Sequence, residues 1–286
     1  MSDATDSRVV LSADRGLAER IRALADRRMV FIAGLPGTGK SLLVHQLVHV
    51  AGRAGRQIHL LQWDVARPVF EASPAGRRYP LADGVTHAVI RRAAGLWVRD
   101  ALADWSERHH APEHLLVGEA PFVGSRFVEL ARRIDDRAEA LLTSPSCRFV
   151  IATPSREVRS FLETQRERRA LNPLHPRERE DAPPHVLREL WQGLAAIAGV
   201  STSTPVPYDP AVYAGVYQRV LRHRNTELVG LDVILPTERL SVYDFAAAPH
   251  DLVPTATEAA RFIHEIERRY PDPGVLDREV ARWWET

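Results

Sequence analysis

At 286 residues, with 45% hydrophobic and 26% charged positions, the chain has a globular composition and is long enough for one large or two small domains around a sizeable core. A total of 38 basic against 37 acidic residues leaves a net charge of +1, so no global field would hold a long nucleic acid by counterion release. The single cysteine, Cys147, excludes an internal disulfide, no apolar run approaches the roughly 18 residues of a membrane span, and the polar start Met1 to Arg8 lacks a signal peptide's apolar stretch, so a cytoplasmic protein without a membrane partner is expected.

Residues 12 to 27 predict a short leading helix with Leu17, Ile21 and Leu24 on one face. Met29 to Ala33 (MVFIA) is short and apolar, and reads as a buried strand. It runs into Gly34, Leu35, Pro36, Gly37, Thr38, Gly39, Lys40 and Ser41, the complete G-x-x-x-x-G-K-[ST] pattern. Ser41 to Ala51 then carries Leu42, Leu43, Leu47 and Val48 at near-helical spacing and stops at Gly52. Strand, glycine loop and helix are what a phosphate-binding loop needs: glycines let successive N–H groups curl around phosphate oxygens, and the helix start adds its positive dipole end. Residues 34 to 42 are therefore the expected nucleotide-binding set, for ATP or GTP, with Lys40 reaching the β- and γ-phosphates and Ser41 offering its hydroxyl to Mg²⁺.

Ile58 to Trp63 predicts a second strand that ends at Asp64. From the carboxyl edge of a sheet Asp64 could take the proton of an acceptor hydroxyl, or it could serve only as a turn or helix cap before Val65, Ala66, Arg67 and Pro68. A long helix follows near 85 to 106, then a strand at His114 to Val117. After that strand Glu119 is placed to orient Mg²⁺, to hold substrate, or to stabilise a helix beginning near Ser125, and Arg126 is a substrate-binding candidate. Phe127 to Leu142 predicts a helix and Arg148 to Thr153 a fourth strand. Arg156, Arg159, Arg166, Arg168, Arg169, Arg177 and Arg179 follow, interleaved with glutamates. One or two of these guanidinium groups are expected to close over the phosphates as a lid, while the rest form a solvated, ion-paired surface.

Beyond Pro183 the pattern is mainly helical, around 184 to 198, 210 to 222 and 256 to 269, with one strand at Leu228 to Leu235 and a short one at 240 to 245. The loop from Leu235 to Tyr243 is a candidate for holding a nucleotide base. Strands separated by helices of these lengths imply a parallel sheet covered on both faces. The expected architecture is an α/β, P-loop NTPase fold in a single domain, with a core over about 28 to 245 and helical additions at 184 to 222 and 246 to 286. His45 and His49 have the spacing of zinc-protease ligands, but Gln46 stands where the catalytic glutamate is required. His109, His110 and His114 flank a turn and are expected at the surface.

The chain resembles the zeta-toxin and chloramphenicol phosphotransferase-like group of small-molecule kinases. The likeness lies in the phosphate loop, in Asp64, Val65, Ala66 and Arg67 as a D-x-x-R segment, in Leu115 to Glu119 as an apolar strand leading to an acid, and in Val150, Ile151, Ala152, Thr153 and Pro154 before a charged helix containing Arg166 and then Asp181. The resemblance implies ATP or GTP at the 34 to 41 loop, Asp64 as catalytic base and Arg166 as a lid arginine on the phosphates; Lys40 is expected to act with them, and Arg67, Glu119 and Arg126 are the substrate-binding candidates. Gly118 and Glu119 stand in reversed order relative to the group, and Asn172 to His175 offers no second lid arginine. The expected activity is ATP-dependent phosphorylation of a hydroxyl on a small metabolite, nucleoside, nucleotide sugar or antibiotic. A polynucleotide or tRNA end kinase would share loop, base and lid, but the balanced charge counts against it. A switch or motor ATPase would carry an Asp-Glu pair after the third strand or an N-K-x-D motif, and the chain has neither.

Overall fold

Met29, Phe31 and Ala33 face one side of β1 (Met29–Ala33) and Val30 and Ile32 the other, and all five are buried. A strand buried on both faces has to lie between two layers of helices. The computed structural model, which describes residues 10–82, 84–200, 205–237, 240–244 and 250–286, has this form. The further strands are β2 (Gln57–Leu61), β3 (His114–Ala120), β4 (Cys147–Pro154), β5 (Thr226–Leu231) and β6 (His250–Asp251). All pair in parallel, in the spatial order β5-β4-β1-β3-β2-β6.

The helices are α1 (Arg15–Ala25), α2 (Lys40–Arg53), α3 (Trp63–Ala72), α4 (Ala88–Arg108), α5 (Glu139–Thr143), α6 (Arg156–Leu171), α7 (Pro184–Ile197), α8 (Pro210–Val220), α9 (Ala256–Arg269) and α10 (Pro273–Ala281). Leu17, Ile21 and Leu24 of α1 and Leu43, Leu47 and Val48 of α2 pack with Val30 and Ile32 on one face. The opposite face, with Phe31 stacked on Phe149 at 4.8 Å between ring centres, receives α3, α4, and α7 to α10. Among the described residues no helix is long and apolar enough to cross a membrane.

Several boundaries differ from expectation. The second strand stops at Leu61, and Asp64 lies in the first turn of α3 rather than at a strand end. The helix wins because Trp63, Ala66 and Phe70, spaced three and four apart, bury one face. Pro68 inside it lacks the N–H that would bond the carbonyl of Asp64, which is why the segment does not read as a helix.

No continuous helix spans 127 to 142; a 3₁₀ turn at Val128–Leu130 leads through turns to the short α5. The carbonyls a helix would use internally are taken by two arginine side chains from elsewhere. Arg99 donates to the carbonyls of Glu129, Arg132 and Ile134 at 2.8, 3.1 and 3.2 Å, and Arg224 donates to that of Leu130 at 2.7 Å.

The strand expected at 228 to 235 is β5, shifted to 226 to 231, and Leu240 to Asp244 form a turn rather than a strand, residue 245 lying outside the described residues. The helix α10 falls within the helical addition expected over 246 to 286, whereas the two-residue strand β6 carries no expectation from the sequence. His110 is exposed as expected, but His109 and His114 are half-buried and gather around the buried His59. Burial, reinforced by His109 and His114, pushes the pKa of the His59 imidazole down to about 4.

Candidate active site at the carboxyl edge of the sheet

The strand following β1 in sequence, β2, lies on one side of it, and β4 and β5 lie on the other. Loops leaving the carboxyl edge therefore diverge beside β1, the position at which parallel α/β sheets form a ligand crevice. The glycine loop occupies this point. Gly37 at φ 71° and Gly39 at φ 84° hold left-handed backbone, and Gly39 is the residue from which α2 starts. The glycines are also needed for space. A β-carbon on Gly37 would stand 2.8 Å from Leu187 Cδ1, and one on Gly34 would stand 2.3 Å from the Tyr213 hydroxyl.

The loop is tied down from several sides. Thr38 donates its hydroxyl to the carbonyl of Leu35 at 2.8 Å, and the Leu35 N–H donates to the Tyr213 hydroxyl at 3.3 Å. Arg159, from α6, donates to the carbonyl of Pro36 at 3.1 Å and to that of Leu187 at 3.2 Å while pairing with Glu163 at 2.7 Å. Arg159 and Tyr213 are therefore supports of the loop. Their positions, more than 120 and 170 residues downstream of the glycines, give no local sequence signal of that contact.

Lys40 is buried at 5% exposure. Its ammonium donates to the carbonyl of Leu35 at 3.0 Å and pairs with Glu119 Oε1 at 3.2 Å. Burial lowers the Lys40 pKa; Glu119 opposes that shift, Arg166 adds to it, and Asp64 opposes it. The register of β1 against β3, Ile32 beside Glu119, is what brings the carboxylate to the loop lysine. Ser41, half-buried in the first turn of α2, and the apolar Leu42 complete the expected nucleotide set.

Asp64 is exposed on the same side. Arg67 is engaged with Glu71, one turn further along α3, at 3.2 Å. Arg126 is half-buried, and burial lowers its pKa while the nearby Asp64 carboxylate opposes that effect. The segment presenting Arg126 is unusual backbone: Phe122, Ser125 and Phe127 have φ of 58°, 63° and 59°. Such residues cost on the order of 1–3 kcal/mol each, and the fully buried rings of Phe122 and Phe127 offset that strain. The helix expected from Ser125 is absent, so Glu119 caps no helix there.

Arg166 approaches Asp181 at 3.5 Å and donates to the carbonyl of Ala182 at 3.3 Å. Tyr243 donates to Asp181 at 2.8 Å. The loop from 235 to 243, described except for residues 238 and 239, thus meets the charged segment after α6; Ser241 also donates to the buried Glu178 at 2.9 Å. Burial raises the Asp181 pKa, an effect that Arg166 opposes. Arg156 is exposed and pairs with Asp209 at 2.9 Å. His45 is buried, with its Nε2 at 2.8 Å from the Asp244 carbonyl and its Nδ1 accepting from Gln46 at 3.0 Å.

Comparison of the chain with family models, with curated proteins and with solved structures finds no match.

Proposed function

We propose that the protein has a P-loop NTPase fold and is an ATP-dependent kinase that transfers the γ-phosphoryl group to a hydroxyl of a small molecule. The observation that carries this reading is the convergence on Lys40. Glu119 of β3 pairs with the buried ammonium of the glycine loop at 3.2 Å, and Asp64 of α3 and Arg166 of α6 lie near enough to push its pKa in opposite directions, although the three are 24 to 126 positions from it in the chain. A loop that only joined a strand to a helix would have no need of a buried lysine or of opposed charges around it.

In this reading the backbone N–H groups of residues 34 to 41 and the start of α2 receive the phosphates. Lys40 meets the β- and γ-phosphate oxygens, exchanging part of its contact with Glu119 for them. Asp64 accepts the proton of the attacking hydroxyl. Arg166 meets the charge that spreads over the transferring group, where a fixed guanidinium contributes more than it does to ground-state binding. Arg126 and Arg67 would orient the acceptor. The oxygen donors Ser41 and Glu119 suit a hard cation such as Mg²⁺, and they would hold it. Bound there, Mg²⁺ would neutralise charge on the phosphates.

The test is ADP release by purified protein across a panel of hydroxyl acceptors, run beside Lys40→Ala. Acceptor-dependent ADP release is expected from the natural chain, with at least about 10²-fold less from the variant. Equal turnover by both proteins would remove the loop from the reaction.

A further inference from the structure

Four histidines meet at the opposite side of the molecule's chemistry, near the amino-terminal ends of β2 and β3. His59 on β2 stands directly across from His250 on β6, and Gln57, two residues before His59 and on the same face of the strand, stands across from His114 on β3. Side chains two apart on a strand share a face, so His114, His59 and His250 project to one side of three neighbouring strands. His109, the residue that ends α4, closes over them. The ring centres of His59 lie 4.4 Å from His109, 5.2 Å from His114 and 5.6 Å from His250, and those of His109 and His114 are 4.5 Å apart.

We propose that His59, His109 and His114 bind a divalent transition-metal ion, with Zn²⁺ the best fit, at a site separate from the glycine loop. One ring nitrogen from each of the three lies within 4.8 Å of the others, and His59 Nε2 is 3.0 Å from His114 Nδ1. Tetrahedral zinc with Zn–N bonds of about 2.0–2.1 Å places its ligand nitrogens about 3.3–3.4 Å apart. The His59 and His114 nitrogens are thus close to chelating distance already, and completing the set requires the half-buried His109 ring to reorient when the ion binds.

The surroundings fit an imidazole-preferring ion better than Mg²⁺ or Ca²⁺. Among the described residues no carboxylate hydrogen-bonds any of the three rings, whereas Mg²⁺ and Ca²⁺ require oxygen donors. Trp105 packs edge-on against His59 at 5.5 Å and walls one side of the cluster. Fixed positive charge near the rings comes from Arg108, one residue before His109, and from Arg28, which lies over that tryptophan at 4.4 Å and directs its N–H groups to the carbonyls of Ala111 and His114, both at 3.0 Å, rather than to the ring nitrogens. Their charge makes this a weaker site than an all-cysteine structural zinc centre. Three protein nitrogens leave a fourth position, which water or the exposed His250 fills. Because the site joins the end of α4 to β2 and β3 beside the edge strand β6, its role is to fasten this edge of the sheet.

The experiment uses untagged, full-length protein stripped with a chelator. Co²⁺ titration is followed by the visible bands of a tetrahedral complex, and Zn²⁺ is titrated against a chromophoric chelator. The expected result is one ion per chain, a higher melting temperature with Zn²⁺, and affinity at least about tenfold weaker in each of His109→Ala and His114→Ala. The exposed His185→Ala should bind like the natural chain. His109→Gln and His114→Asn are second variants should either alanine form fail to fold, which circular dichroism of the metal-free proteins would reveal. An excess of Mg²⁺ with ATP should leave the cobalt bands unchanged. No stoichiometric binding, binding undiminished in the histidine variants, or displacement of cobalt by Mg²⁺ with ATP would each overturn the site.

Discussion

Asp64 and Arg166 make different demands on the same reaction. Asp64 is exposed in the first turn of α3 and Arg166 is held beside Asp181 and the Ala182 carbonyl. If Asp64 is the base, Asp64→Asn keeps the polarity and shape of a helix start but loses the proton acceptor. Transfer should slow by about 10² to 10⁴-fold while ATP binding stays near normal, as read by single-turnover kinetics beside nucleotide titration. Full activity would return Asp64 to a helix-start role. Arg166→Ala should lower the transfer rate by about 10² to 10³-fold and ATP affinity much less, because its guanidinium would meet charge that develops only in the transition state. Arg156→Ala provides the contrast: its side chain is exposed and paired with Asp209, so both constants should be unchanged. An Arg166→Ala enzyme as active as Arg156→Ala would leave Arg166 a partner of Asp181 with no part in the transfer.

At the scale of elements, the segment from 128 to 143 shows how side chains can displace a helix. Arg99 and Arg224 hold its carbonyls and meet at Glu139, which receives Arg99 at 2.8 Å and Arg224 at 2.8 and 3.0 Å. Although burial opposes it, these two guanidinium groups hold the Glu139 pKa down to about 2, against 4.5 for an ordinary glutamate. A carboxyl whose pKa is lower in the folded state binds fewer protons there than in the unfolded chain, so its contribution is complete above about pH 4.5 and fades as pH falls toward 2. Unfolding free energy from urea titrations should therefore decline across that window. Glu139→Gln should be less stable at neutral pH, since it leaves buried guanidinium groups short of an anion, and should show a shallower acid decline. An unchanged acid limb in the variant would assign the loss to other carboxylates.

At the scale of the whole molecule, the last helices belong to the same core as the central strand. Ala259, Phe262, Ile263, Ile266, Leu276 and Val280 are buried in the cluster that holds Phe31, Trp97 and Phe149. Each large apolar side chain withdrawn from water contributes about 1.5–3 kcal/mol, and the set approaches the roughly 5–15 kcal/mol by which domains are stable. A chain ending at Thr255 should accordingly aggregate or lose its cooperative thermal transition. A soluble truncated protein that melts cooperatively and binds nucleotide would make α9 and α10 an appendage.

The sequence by itself determined the strand from Met29 to Ala33, the glycine loop, the helix after it and the alternation of strands with helices, because each of these is written in neighbouring residues whose spacing matches a backbone period. Much of the candidate site was legible for the same reason: Lys40 and Ser41 belong to a contiguous pattern, and Glu119 closes an apolar run. Tertiary structure alone decided that Arg159 and Tyr213 brace the loop, that Arg99 and Arg224 replace a helix between 127 and 142, and that Pro68 sits inside a helix. It also decided that histidines expected at the surface close around His59. These outcomes depend on partners that folding brings from distant positions, and an exposed-looking arginine or histidine carries no local mark of the carbonyl, carboxylate or ring it will meet.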